Sequence, residues 1–243
     1  MQKIKNSEAL GSGLTSHSLK MIAITAMFID HFSYLVAPTQ TPLEWILHFV
    51  GRTAAPIMFF LIAEGHYHTS DKKRYFFRLL LFAVISHFPY VIYFDLPLFG
   101  ASSVIWTLAM GLMALIAAKN KHYSIPVKTG IILLSCLLAY NANWNYIGVL
   151  WTLNFGLFRG DFKKQAIGFT TIGIILYLIQ GLIRVGPHVS YRIGVFVPLI
   201  LIYLYNGKRG SNSTLAKWSF YIFYPLHFII LYLLKMYVFN GFA

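Results

Sequence analysis

Mostly apolar stretches of about fifteen to twenty-five residues follow one another along almost the whole chain, parted only by short basic or turn-forming segments. A hydrocarbon core about 30 Å thick needs about 17 to 25 such residues per crossing helix, and shorter ones are tolerated within a bundle. Backbone N–H and C=O groups meet no water there, so each segment must satisfy them internally as a helix. The runs divide best into nine spans, at 19–37, 45–65, 75–94, 103–118, 127–140, 145–158, 165–183, 191–205 and 215–239. The expected fold is all-α, a polytopic transmembrane helix bundle of about nine spans, with eight to ten allowed by the pattern. Residues 1–18 read as a polar N-terminal segment, 19–239 as a single transmembrane domain and 240–243 as a tail. Only 11% of the residues are charged, against about 25% in soluble domains, which excludes a separate water-soluble domain.

Turn formers mark five boundaries: Pro38 and Pro42, Pro97 and Gly100, Asn141 and Asn143, Gly186-Pro187, and Asn206-Gly207. The fifth and sixth spans are short enough to be one irregular pair. Cys136, the single cysteine, has no intramolecular disulfide partner and lies in the apolar run 130–140, where it reads as a packing residue. Neither a Cys-x-x-Cys nor a paired-histidine spacing suggests a metal site. The polar lead-in lacks the small-residue cleavage pattern of a secretory signal and reads as a retained cytoplasmic segment.

The formal charge of +13 would suit nucleic acid if the basic residues shared one folded face. Instead they sit in clusters between apolar runs, and nucleic acid is excluded as a partner. With a cytoplasmic N-terminus, the inside segments hold Lys3, Lys5 and Lys20; Lys72, Lys73, Arg74 and Arg78; Lys119, Lys121 and Lys128; Arg159, Lys163 and Lys164; and Lys208, Arg209 and Lys217. Arg184, Arg192 and Lys235 fall outside, and Arg52 lies within a span. Sixteen inside against three outside is the bias of the positive-inside rule. The charge therefore reports topology in a multi-pass cytoplasmic (inner) membrane protein, with anionic lipid as its partner.

Polar residues left inside spans are costly unless paired or hydrated, so they mark function or interhelical bonding. From a rise of about 1.5 Å per residue, His31 lies about 16 Å from the inner surface, His227 about 15 Å, and His87 near the same level. Arg52, about 12 Å below the outer-side Glu44, falls in the same layer, and so does Asp30. Successive helical residues diverge by about 100°, so Asp30 is poorly placed to orient the His31 ring and is better placed to pair with Arg52. Lys20 and His31 are about three turns apart and share a stripe. Glu64, beside Gly65, His66 and His68, either caps a cytoplasmic entrance or is solvated. A layer of this kind fits an enzyme site, and equally a proton- or ion-coupled secondary transporter, whose sites also use Gly- and Pro-interrupted helices. No inverted internal repeat stands out. A non-catalytic scaffold of a conjugation or secretion machine is the third reading.

The segments Leu19-Lys-Met-Ile-Ala-Ile-x-x-Met-Phe-Ile-Asp-His31, Val50-Gly-Arg-x-Ala-x-Pro-Ile-x-x-Phe-Leu-Ile-Ala-Glu-Gly65, His68-Thr and Tyr75-x-x-Arg-Leu79 resemble the TraX family. So do Tyr146-x-Gly-Val-Leu150, Tyr205-Asn-Gly-Lys-Arg-Gly210 and Phe220-Tyr-x-Phe-Tyr-Pro-Leu-His227, in the right order from Leu19 to Phe239. The family's founding members are associated with N-terminal acetylation of conjugative pilin. The resemblance implies an integral-membrane acetyltransferase using acetyl-CoA, with a pilin-like amine or a surface-glycan hydroxyl as acceptor. Lys20 with His31, Arg52 with Pro56, and Tyr224 with His227 are also similar to the membrane acyltransferases that modify surface glycans, although Glu64-Gly65 stands where those enzymes carry Ser-Gly. Asn145 stands where many TraX members carry an acidic residue.

Acetyl transfer needs a cradle for the donor's phosphates, a general base and an oxyanion stabiliser. Lys20, Lys72, Lys73, Arg74, Arg78, Asn206, Lys208 and Arg209 are the cradle candidates on the cytoplasmic side, and as topology determinants they have a plainer explanation. His31 is the candidate base, His227 its competitor, and Asp30 and Arg52 the candidate ion pair. No Gly-rich phosphate loop opens a helix after a strand, which disfavours ATP and NAD.

Overall fold

The computed structural model describes residues 13–211 and 213–239. Lys3, Lys5 and the tail 240–243 lie outside the described residues, as does the side chain of Lys217. The described residues are helical, with no strand beyond two isolated bridges, Leu14 with Tyr205 and Ser102 with Ala142. In chain order the elements are α1 (Ser16–Val36), α2 (Pro42–Gly51), α3 (Ala54–His68), α4 (Lys72–Tyr93), α5 (Val104–Lys119), α6 (Ile125–Leu138), α7 (Asn145–Leu157) and α8 (Phe162–Ile172). A π-helical stretch, Gly173–Ile179, joins α8 to α9 (Gln180–Val185). A 3-10 segment, Pro187–Phe196, leads into α10 (Pro198–Tyr203), and α11 (Thr214–Leu234) ends in a second π stretch, Lys235–Phe239. Among the described residues, five helical stretches are long and apolar enough to cross a membrane: Ser16–Val36, Pro42–His68, Lys72–Tyr93, Phe162–Val185 and Trp218–Val238. Val104–Lys119, Ile125–Leu138 and Pro187–Tyr203 are shorter apolar helices.

Local chemistry sets the ends. Thr15 Oγ1 caps α1 by accepting from Ser18 N at 3.1 Å, Thr41 caps α2 through Glu44 N at 3.2 Å, and Asp71 caps α4 through Arg74 N at 2.8 Å. The central helices α3, α5 and α7 are buried on most sides, whereas α6 turns nearly all its side chains outward. Small residues bring the central pair α5 and α7 together: a Cβ at Gly111 would meet Thr152 Oγ1 at 2.6 Å.

Four of the expected spans are not continuous α-helices: 165–183 and 215–239 run into the π stretches, and the other two are interrupted. The run 45–65 breaks at Arg52–Thr53 between α2 and α3. Pro56 has no N–H for the Arg52 carbonyl and its ring crowds that carbonyl, so the ladder fails one turn before the proline. Thr53 Oγ1 turns back to donate to the Val50 carbonyl at 2.7 Å. The run 191–205 is a 3-10 segment followed by six residues of α10 rather than one helix. Pro198 likewise removes the bond to the Gly194 carbonyl, which accepts instead from Val197 N at 3.2 Å.

Contacts between loops sort the ends of the bundle into two sets. At the proximal end, where the chain enters α1, Leu14 N donates to Leu204 O and Ser16 N to Lys208 O, both at 2.9 Å. Glu64 pairs there with Arg159, and Tyr67 OH donates to Gly156 O at 2.7 Å. At the distal end, Trp45 Nε1 donates to Ser190 Oγ at 2.9 Å, Asn143 N donates to Ser102 O at 2.8 Å, and Lys235 pairs with Asp95. Each of these pairs joins segments that alternating spans put on one side.

Candidate functional site

Helix α1 carries two polar groups back to back, Asp30 and His31, both buried. A rotation of about 100° per residue sends them to different neighbours. His31 faces α11, where its Nδ1 lies 2.8 Å from His227 Nε2. His227 Nδ1 is 3.1 Å from the Phe223 carbonyl. A carbonyl only accepts, so His227 Nδ1 carries a hydrogen and its Nε2 is the acceptor. His31 Nδ1–H therefore donates, and His31 Nε2 keeps its lone pair. Phe228 packs on the His31 ring at 4.6 Å and Phe94 meets its edge at 5.8 Å, while Tyr93 OH donates to the His31 carbonyl at 2.7 Å. Tyr224 stands edge-on to His227 at 5.3 Å.

Asp30 faces the broken second span. Its Oδ2 pairs with Arg52 Nη2, and its Oδ1 accepts from His48 Nδ1–H at 2.8 Å. The break between α2 and α3 lets Arg52 leave the helix axis toward α1. Gly51 makes room, because a Cβ there would collide with the Asp30 side chain. The guanidinium also reaches Tyr177 OH at 3.5 Å, from the π stretch, and lies 5.6 Å from the Trp144 ring and 5.8 Å from the Tyr191 ring. Its Nε is buried without a hydrogen-bond partner among the described residues. Trp144 sits in left-handed backbone (φ 69°) at the start of α7, where Asn145 Oδ1 accepts from Ile147 N at 2.9 Å.

A cavity of about 370 Å³ opens at the proximal end, not in the middle layer where the sequence places its polar site. Lys20, Arg78 and Arg209 line it, with His17, Glu64 and Tyr221. Arg78 Nε donates to Tyr221 OH at 3.2 Å and its guanidinium lies over the Tyr75 ring at 5.4 Å. Glu64 is buried at the cavity wall and is not solvated: Arg159 grips it through Nε at 2.8 Å and Nη2 at 3.1 Å, and His68 Nε2 lies 3.4 Å away. That hydrogen bond raises the pKa of the Arg159 guanidinium above its ordinary value, against a smaller opposing effect of burial.

Of the residues singled out in the sequence, the structure brings together Asp30 with Arg52, His31 with His227 and Tyr224, and Lys20 with Arg78, Arg209 and Glu64. It separates others. His87 does not join the histidine layer: its Nε2 lies 2.6 Å from the Leu98 carbonyl at the distal end. Ala83, Ser86 and Tyr90 occupy the buried face of α4, and one residue past Ser86 the ring points elsewhere. Lys72, Lys73 and Arg74 are exposed outside the cavity, as is Lys208. Asn206 serves the backbone, donating to Gly13 O at 2.7 Å and accepting from Lys208 N at 2.9 Å. Sequence reasoning missed His48, Tyr177 and Tyr191. His48 had a signal, since it precedes Arg52 by one helical turn on the same face.

The TraX protein family model matches residues 15–235. The probable fimbrial assembly protein FimC, serogroup H1, of Dichelobacter nodosus is 30% identical over 238 residues, covering 92% of this chain and 97% of the relative. No solved structure matches the chain. A family match that runs from the start of α1 into the end of α11, across every helix that builds the two polar sites and the cavity, makes this chain a member of the TraX protein family.

Proposed function

We propose that the protein is an integral-membrane acetyltransferase of the cytoplasmic membrane, moving an acetyl group from cytoplasmic acetyl-CoA to a membrane-associated or extracytoplasmic acceptor. The acceptor is a pilin-like amine or a glycan hydroxyl, in keeping with the fimbrial assembly role named for its relative. The observation that carries this reading is the convergence of Lys20, Arg78 and Arg209 on one cavity, a chemistry suited to the phosphates of the donor. Its volume, about 370 Å³, is at the small end for ligand sites and fits part of the donor. From Lys20 to His31 is about 16 Å along α1, a gap for the linear pantetheine arm.

In this mechanism His31 Nε2 takes a proton from the acceptor as its nitrogen or oxygen attacks the thioester carbon. Collapse of the tetrahedral intermediate breaks the C–S bond, and the departing thiolate takes the proton back from His31. Arg52, with Nε unpartnered among the described residues, is the donor for the developing oxyanion.

The decisive experiment incubates the purified protein in lipid nanodiscs with radiolabelled acetyl-CoA and membranes of the source cells. Label is expected in a membrane or envelope component. A secondary transporter is the competing reading, favoured by the second span breaking at the buried Arg52–Asp30 pair. Absence of label transfer, with ion- or proton-coupled flux in proteoliposomes, would replace the enzyme with the transporter.

The orientation follows from the charge bias. Single cysteines in 72–74 are expected to react only from the cytoplasm, and those in 184–192 only from outside. A reporter at Ala243 is expected outside; finding it in the cytoplasm overturns the nine-span arrangement.

A further inference from the structure

The imidazole of His48, 3% exposed, has the geometry of an oriented base and no part in the mechanism above. Its Nδ1–H is fixed on the Asp30 carboxylate at 2.8 Å, which selects the tautomer with a lone pair on Nε2. Ser33 Oγ lies 3.3 Å from that nitrogen but gives its own proton to the Asp30 carbonyl at 2.6 Å, so it leaves the lone pair unprotonated. Tyr34 of α1 meets the ring edge at 4.9 Å and Tyr191 of the 3-10 segment covers it at 5.0 Å. Tyr34 is itself 55% exposed, so the site is one side chain from the surface at the distal end. The charged groups facing it are Asp30 from α1 and Arg52 from the end of α2, and they neutralise each other.

We propose that Asp30 and His48 form a second proton-accepting dyad, in which His48 Nε2 deprotonates the acceptor at the end of the bundle opposite the cationic cavity. The proposal rests on the acyl-transfer reading and deepens it. Its chemical reason is the proton balance of an amine acceptor. An ammonium loses two protons in becoming an amide, and the departing thiolate takes only one. His48 takes the first, converting R–NH₃⁺ to the nucleophilic R–NH₂, and passes it to water at the distal surface. The nitrogen then attacks the thioester carbon, His31 takes the second proton, the C–S bond breaks and the thiolate leaves with that proton. One amide, one thiol and one released proton account for every atom. His31 projects from α1 and His48 reaches α1 from α2, held by the adjacent Asp30 on a flank about 100° away, so the two proton transfers do not compete for one base.

The test uses His48→Gln, whose side-chain N–H still serves Asp30 but which has no basic nitrogen, together with His48→Ala and added imidazole. Label transfer from acetyl-CoA to source-cell membranes and equilibrium binding of acetyl-CoA are both measured. At neutral pH His48→Gln is expected to transfer at least about a hundredfold more slowly, with acetyl-CoA binding unchanged. An α-amine titrates near a pKa of about 8, so transfer by His48→Gln should recover above that pH, where the acceptor is already neutral. Imidazole should restore His48→Ala. Recovery of either kind is foreign to a merely structural histidine. Wild-type turnover in His48→Gln at neutral pH overturns the dyad, as does a loss that neither high pH nor imidazole relieves. If the wild-type protein binds acetyl-CoA and transfers no label to any component, the acyl-transfer reading falls and the dyad with it.

Discussion

Replacing His31 with alanine is expected to lower acetyl transfer at least about a hundredfold, the scale of a lost general base, without lowering the yield of folded protein. The reason lies in the hydrogen-bond direction of the pair. The Phe223 carbonyl holds a hydrogen on His227 Nδ1, which makes His227 Nε2 an acceptor and obliges His31 to donate through Nδ1. The lone pair that can take a proton is then on His31 Nε2. His227→Ala removes the acceptor and frees the tautomer of His31, and its loss should be the smaller of the two. A size-matched His31→Gln variant, with thermal stability measured alongside turnover, separates lost chemistry from lost packing against Phe228. Near-normal turnover of His31→Ala, with activity lost only in His227→Ala, would exchange the roles of the two rings.

The second large effect is expected at Arg52. A guanidinium does not relieve its burial by deprotonating, so it requires an anion, and Asp30 supplies it. Arg52→Ala leaves the buried Asp30 carboxylate with His48 as its one remaining side-chain partner among the described residues, and breaking a buried pair from one side costs about 3 kcal/mol or more. Asp30→Asn combined with Arg52→Gln removes both charges, and the double variant should regain the stability lost in the single one. Acetyl transfer should not return with it. Loss of an oxyanion donor costs about a hundredfold or more in turnover, and Arg52 Nε has no hydrogen-bond partner among the described residues. Arg52→Lys should also be impaired, since an ammonium lacks the planar fork that meets Asp30 and Tyr177 together. Full turnover in the stable double variant would make Arg52 a structural residue alone.

Much of this was legible in the amino-acid sequence because membrane insertion is a one-dimensional constraint. Apolar length and turn formers act through local chain properties, so the apolar helical runs follow without knowledge of contacts. Depth is also one-dimensional: counting residues from Lys20 and Lys217 puts His31 and His227 at one level, and the structure has them 2.8 Å apart. Angle around a helix and the partners across it are set by packing, which residue counting does not encode. His87 has the right depth and the wrong face. His48 has the right face, one turn before Arg52, and its pairing with Asp30 depends on the break that Pro56 forces between α2 and α3. The cavity shows the same division, since Lys20, Arg78 and Arg209 come from three separated segments that only the folded bundle brings to one wall, while the exposed Lys72–Arg74 cluster carries as many charges and stays outside that cavity. Sequence determined which groups must be buried and how deep; the tertiary structure decided which of them meet, because that depends on helix rotation and on breaks that act over many residues at once.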